Sequence, residues 1–173
     1  MQQQTQPEAI FRPDAAQLRE VLRFWTTGVT IVSAAHQGRR HGMTVNSFTS
    51  LSLEPPLVSI SLEKVTRTHE LVSQVRRFGV SLLRASQQEL SNRFAGRESE
   101  QQDRFADVAT FTLETGSPLL QEALAYFDCR VAVTHDAGTH TIFISEVLAA
   151  GAPQGAASEQ PLVYFNRGYR KIG

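Results

Sequence analysis

Gly42-Met43-Thr44-Val45-Asn46-Ser47-Phe48-Thr49-Ser50-Leu51-Ser52-Leu53-Glu54-Pro55-Pro56-Leu57-Val58 crowds small hydroxyl and amide residues into one short segment, then turns at a rigid Pro-Pro corner into an apolar strand. A strand is built more simply from Val, Ile and Leu. Thr44, Asn46, Ser47, Thr49, Ser50 and Ser52 in this place point to a backbone held close to a polar, phosphorylated ligand. The alternative is a solvent-facing Ser/Thr edge strand, because Thr is common in strands.

Upstream, Pro13-Asp14 opens a helix, with Asp14 as its cap and Leu18, Val21, Leu22 and Trp25 at helical spacing until Thr27-Gly28. Val29 to Ala34 reads as a strand, His36 to Arg39 as a turn, and His41 to Val45 as the returning arm of a hairpin. Downstream, Leu57 to Leu62 alternates apolar residues with Ser59 and Ser61, a strand with one polar face. Thr66 or Thr68 caps a helix running to about Gln74, and Phe78 to Leu83 is another strand. Ser86-Gln87-Gln88-Glu89 has the capping-box pattern and starts a helix with Leu90 and Phe94 on its inner face. Gly96 to Asp107 is polar and charged and reads as a surface excursion. The last third gives strands around Phe111, Ala125 to His135, Thr139 to Ala149 and Leu162 to Phe165, with a loop at Gly151 to Ser158. Many strands, two or three interposed helices and no regular βαβ alternation predict an antiparallel barrel or sandwich.

The 173 residues make one domain by length, with enough chain to bury a core unaided. Residues 1–12 are expected to be a flexible tail, with the domain over 13–173; the Gln-rich start has neither the basic head nor the apolar core of a signal peptide. Seventeen basic and seventeen acidic residues cancel and are scattered, which argues against nucleic acid as a partner. No apolar run approaches the roughly 20 residues of a membrane span. The single cysteine, Cys129, forbids an internal disulfide and fits a reducing, cytoplasmic setting. His36, His41, His69 and His135 lack metal-ligand spacing, and with one cysteine no metal site is expected. There is no Gly-x-Gly-x-x-Gly fingerprint, so a dinucleotide would be held without a Rossmann unit.

Five segments in order carry a resemblance: Phe24 to Val32, Gly42 to Val58, Arg77 to Leu83 with Gln87 and Arg93-Phe94-Ala95, Gly138 to Val147, and Pro161 to Phe165. Together they make the chain resemble the short-chain flavin reductases, the FMN-binding split-barrel proteins that supply reduced flavin to two-component monooxygenases. The resemblance runs from about Leu18 to Gly173. It implies a six-stranded antiparallel split β-barrel with peripheral helices, assembled as a homodimer with flavin near the interface.

It also implies site residues. Met43, Thr44, Val45, Asn46 and Ser47 would lie along the flavin ring, with backbone groups and the Asn46 side chain at its pyrimidine edge. Ser47, Thr49 and Ser50 would serve the ribityl chain and phosphate, and Ser61, Leu62 and Glu63 would form a second lining segment. Arg67 and Thr68, read at a helix N-terminus, suit a phosphate, and Arg93-Phe94 is a third contact that matters most for an adenine. His140 would stand near flavin and nicotinamide, as a positioning group or in proton delivery. The family's Gly-Asp-His reads Gly138-Thr139-His140 here, without the acidic neighbour. Tyr164 to Arg167 matches a pyridine-nucleotide segment, but Arg167-Gly168 is displaced by one residue, which in a strand would turn the side chain to the other face.

The implied reaction is hydride transfer from NADH or NADPH to FMN or FAD, with the reduced flavin diffusing to an oxygenase. The rivals are a tight FMN-binding electron-transfer or redox-sensing protein, a flavin-free interaction module, and a pyridoxamine-phosphate oxidase. Intact Asn46, Ser47, Ser50 and Arg67 argue against the module, and the Gly42 to Val58 signature argues against the oxidase.

Overall fold

A computed structural model of the chain describes residues 12–96 and 103–172. The expected tail, apart from Arg12, and the middle of the expected excursion at 96–107 lie outside the described residues. Asp14 caps α1 (Ala15–Leu22) reciprocally: its carboxylate accepts from Gln17 N at 2.8 Å, and the Gln17 side chain accepts from Asp14 N at 3.0 Å. The helix stops at Leu22, short of Trp25, and buries none of its residues.

The strands follow in order: β1 (Thr27–Gly28), β2 (Thr30–His36), β3 (Arg39–Val45), β4 (Thr49–Ser52) and β5 (Leu57–Glu63). Then come α2 (Arg67–Val75), β6 (Arg77–Leu82), α3 (Gln88–Phe94), β7 (Thr110–Phe111), β8 (Leu119–Leu120), β9 (Ala125–Ala137), β10 (His140–Gly151), β11 (Val163–Phe165) and β12 (Gly168–Arg170). β2 and β3 meet through Gln37-Gly38, both at positive φ, the two-residue turn whose twist suits a hairpin. α2 is capped by Thr66, whose hydroxyl accepts from His69 N at 3.3 Å. The Ser86-to-Glu89 capping box is not the one used. A 3-10 turn, Ala85–Gln87, precedes α3, and Gln87 Oε1 accepts from Arg84 N at 2.9 Å.

Seven antiparallel strands form the main sheet in the order β3-β2-β6-β9-β10-β5-β4. Laid flat, its outer strands would stand about 29 Å apart at the usual strand spacing. Yet β3 passes to β4 through only Asn46, Ser47 and Phe48, a reach of at most about 14 Å from Val45 to Thr49. The sheet is therefore curled until its two edges adjoin, which is a split barrel. The mainly β class expected from sequence holds, with one strand more than the six expected. The seventh is β4, the solvent-facing Ser/Thr edge strand given as the alternative reading of the signature; it pairs with β5 beyond the Pro-Pro corner.

Alternation fills the barrel. Val58, Ile60 and Leu62 of β5, Val32 and Ala34 of β2, and Phe143 of β10 point inward, and α2 adds Leu71 and Val72. β2 is buried on both faces, because Ile31, with Val29 just before the strand, joins an outer core with Leu83, Phe94, Phe105, Leu120 and Leu162. Phe105 corrects the surface excursion: it is 2% exposed and meets Phe94 edge-to-face at 4.9 Å. Cys129 lies in the barrel core, where burial and then the Asp128 charge push its thiol up to about 12. It stays protonated, a small apolar filler. Among the described residues, no helix is long and apolar enough to cross a membrane.

Candidate functional site

β3 lies at the edge of the sheet, with β2 as its single strand neighbour. Beyond that edge, the start of α2, the end of α3 and Arg104 enclose a groove of about 400 Å³, lined in part by His41, Met43, Thr44, Arg67, Phe94 and Arg104. The chain leaves this groove at Val45 and enters a second region at Asn46-Ser47. There a cavity of about 370 Å³ lies against Trp25, Thr30 and Phe48. Another of about 710 Å³ lies against Arg19, Trp25, Tyr164 and Arg167. The signature strand thus runs from a cationic groove to an aromatic one.

The expected site residues divide accordingly. Met43, Thr44, Arg67 and Phe94 share the first groove, whereas Asn46, Ser47, Thr49, Tyr164 and Arg167 border the other two. Several are spent internally. Thr44 Oγ1 donates to Ser91 O at 2.6 Å. Ser47 Oγ donates to Ser61 O at 2.9 Å and accepts from Ser61 N at 3.0 Å, pinning the joint to β5. Val45 and Leu62 are core side chains, so only their backbone faces a ligand. Thr68 is buried, and its hydroxyl lies 2.8 Å from His41 Nδ1 rather than in the groove. Thr49 and Ser50 lie on β4 and are exposed.

Arg93 points away: it donates to Ala106 O at 3.1 Å and lines a separate cavity with Asp107 and Glu122. His140 opens β10 directly opposite Glu63 of β5, on the same outward face as Ser61. Its Nδ1 lies 2.8 Å from Thr139 Oγ1, so a hydroxyl stands where the family pattern has a carboxylate. The end of β9 is tied to the residue after β5 by Asp136 and Lys64 at 2.5 Å, a pairing that holds the Asp136 carboxyl below the usual carboxylate range.

Arg167 is in no strand. Asn166 and Arg167 are the two central residues of the β11–β12 turn, at φ 51° and 60°. The expected change of strand face therefore does not arise. The turn sends the Arg167 guanidinium to Glu20 of α1, and Glu20, bonded to Arg167 and then Arg23, is held below its ordinary pKa.

Sequence reasoning passed over His41, Thr66 and Arg104 as groove residues, and Trp25 as a cavity wall. The one available signal for Arg104 was the lone aromatic Phe105 in a polar stretch, which marks an anchor. Among the described residues, no three His, Cys, Asp or Glu side chains are grouped to hold a metal ion. The assembly offers a backbone edge, a cationic groove and aromatic walls, the parts of a site that binds and orients.

Known proteins resemble the chain in sequence and in fold. The family model described as Flavin reductase like domain matches residues 22–173. The chain is 43% identical over 157 residues to the NADH-dependent flavin reductase StyB of Pseudomonas fluorescens, covering 90% of this chain and 89% of that one. It is 40% identical over 152 residues to the reductase component of the 4-nitrophenol 4-monooxygenase/4-nitrocatechol 2-monooxygenase of Rhodococcus opacus, covering 88% and 78%. The solved NADH:FAD oxidoreductase SgcE6 of Streptomyces globisporus C-1027 superposes with a TM-score of 0.88 at 32% identity, covering 98% of this chain and 99% of that one. The chain belongs to the flavin reductase family.

Proposed function

We propose that the protein reduces free flavin at the expense of NADH and releases it to a separate monooxygenase, as the reductase half of a two-component system. The observation that carries this reading is the place of β3. An edge strand presents N–H and C=O groups that no neighbouring strand takes, and this one borders the cationic groove and leads into Asn46-Ser47. Such a row, with the Asn46 amide, fits the donor and acceptor pattern of a flavin pyrimidine ring. Bound flavin supplies the hydride acceptor.

The chain's own residues bind and orient. Fixed dipoles from Met43 to Ser47 would stabilise the negative charge that a bound flavin gains on reduction. Arg67, at the first position of α2, grips a phosphate by its fork and by the helix N–H groups beside it. Thr49 and Ser50 serve the ribityl chain, and Ser61 and Glu63 line the other side. His140 positions the ligands beside Glu63, while Tyr164, Arg167 and Trp25 form the approach for the pyridine nucleotide. A hydride step needs no side-chain acid or base, so the protein's task is alignment and exclusion of water.

The working assembly is a homodimer in the cytoplasm. Exposed Leu18, Val21, Leu22 and Trp25 at α1, with Leu51, Leu53 and Val133, support it, since apolar patches of this kind mark contact surfaces. The reading as a tight flavin holder is not favoured, because the relatives are reductases by name.

Anaerobic stopped-flow absorbance with NADH and excess flavin tests the reading. Rapid bleaching of many flavin equivalents per protein is expected, and bleaching of a single bound equivalent would sink it. Replacing Arg67 with Ala should weaken flavin binding by about tenfold, the scale of one charge-assisted contact. An unchanged flavin titration would remove Arg67 from the site.

A further inference from the structure

Ser91 of α3 is fully buried and is bonded in two directions. Its carbonyl accepts from Thr44 Oγ1 of β3 at 2.6 Å. Its hydroxyl lies 2.8 Å from the Tyr169 hydroxyl of β12. Tyr169 has one hydroxyl proton, which it donates to Asn92 Oδ1 at 3.2 Å, so Ser91 is the donor in the hydroxyl pair. Two consecutive residues of one helix thus hold the Tyr169 hydroxyl. The two ends of this chain of bonds stand at different sites. Thr44 lines the cationic groove. Tyr169 stands directly across the β11–β12 hairpin from Tyr164, on the same face, with ring centroids 5.6 Å apart and the rings at 70°. Tyr164 in turn walls the cavity of about 710 Å³ with Trp25 and Arg167. The sheet that carries Tyr164 is separate from the main sheet and runs in the order β1-β11-β12, with β12 outermost.

One buried serine therefore locates both the strand beside the groove and the hairpin beside the cavity. The Tyr169 ring packs against the outer core, as a phenylalanine ring would; its hydroxyl adds direction rather than volume. We infer that Tyr169 is a positioning residue for hydride transfer: through Ser91 it fixes Tyr164, and with it the wall of the nucleotide approach, relative to β3. Transfer needs the reacting atoms about 3–3.5 Å apart and aligned, so a small tilt of the hairpin costs rate before it costs affinity. The role rests on the proposed function for the placing of flavin along β3 and of NADH at Tyr164.

Tyr169→Phe keeps the ring and removes the hydroxyl. Turnover at saturating NADH should fall about tenfold, less than the loss a full misplacement of the reacting groups brings, while flavin Kd and KM for NADH stay within about twofold. The isotope effect with NADH deuterated at the transferred hydrogen should rise, because the transfer itself has slowed. Ser91→Ala should give part of the same loss, and the double variant no more than Tyr169→Phe alone, since both act through one bond. Hydrogen exchange on the chain without flavin or NADH gives a readout independent of turnover. Residues 163–170 should exchange faster in Tyr169→Phe, with β9 and β10 at native rates. Native turnover with a native isotope effect in Tyr169→Phe would overturn the inference. So would an equal loss of flavin affinity, or faster exchange spread through the main sheet, the marks of a plain folding role. A thermal melt checks that Tyr169→Phe folds; if it does not, Ser91→Ala carries the test, and native turnover there overturns the inference equally. A native chain that bleaches no flavin would fault the proposed function, and the exchange contrast would then decide on its own whether Tyr169 holds the hairpin.

Discussion

At Gly42 a Cβ would meet the Phe94 ring at 2.8 Å and the Phe105 ring at 3.0 Å. Both rings are in the outer core, so neither can swing into solvent. Gly42→Ala should cost about 1–3 kcal/mol, the range for overpacking a filled site, seen as a lower midpoint in denaturant unfolding. An unchanged midpoint would mean that the two rings yield freely. His69 gives a second residue-level expectation. Burial first, and the Lys64 charge second, hold its pKa below the ordinary 6.5. The folded state thus favours the neutral ring, which lies 2.9 Å from Thr141 Oγ1. The unfolded chain binds the proton more readily, so His69's contribution is full above 6.5 and is lost as pH falls below it. His69→Gln should flatten the stability profile between the depressed pKa and 6.5, measured by unfolding at a series of pH values. A slope identical to the native chain's would refute the assignment. For His140→Ala, turnover with NADH should fall more than flavin affinity, and normal NADH kinetics would reduce the residue to a bystander.

Among the elements, the segment before β8 is held by a buried carboxylate and by the Ser33 hydroxyl, which donates to Pro118 O. Asp128, fully buried on β9, accepts from Thr115 N at 2.8 Å and from the Thr115 hydroxyl, which also lies 2.9 Å from Ser117 Oγ. Asp128→Ala strands these donors inside the protein at a cost of about 1–3 kcal/mol each. Hydrogen exchange should show the 113–120 segment opening before the sheet does, and uniform loss of protection would contradict the local role. Most elements were legible because their cause is local: Asp14 announces α1, Gln37-Gly38 the first hairpin, and alternation β5. What escaped was decided by distant contacts. Thr49 to Ser52 reads as ligand-lining backbone or a solvent-facing edge strand until β5 is laid beside it, and Phe105 reads as loop until Phe94 and Gly42 are in place. Arg167 reads as a strand residue, since its turn shows only once β11 pairs with β12. The candidate site was legible in the same measure. The signature strand marked one groove, which Arg67 also lines. Arg104 belonged to a stretch whose anchor is spatial, and Arg93 faces the wrong way for reasons only α3's packing sets.

For the molecule as a whole, α1 is the part that a lone chain leaves unexplained. A helix with a reciprocal cap and no buried residue gains little from its own barrel, and burying such a stripe against a second copy would supply what is missing. Light scattering should find a dimer, and Leu18→Asp with Leu22→Asp should shift it to monomer and lower the unfolding midpoint, since association stabilises the native state. A native chain that is monomeric at micromolar concentration would remove the homodimer. The joint at Asn46-Ser47-Phe48 has a consequence of another kind. It is the covalent hinge between the two outer strands of the main sheet, each of which has one neighbour only. A circular permutant with new ends between Ser47 and Phe48 would keep every strand pair and lose only the tether. Its two open borders would then be free to recruit strands from other molecules, as unguarded edges do. The short link that brings the cationic and aromatic grooves together therefore also protects the barrel against polymerising through its own sheet.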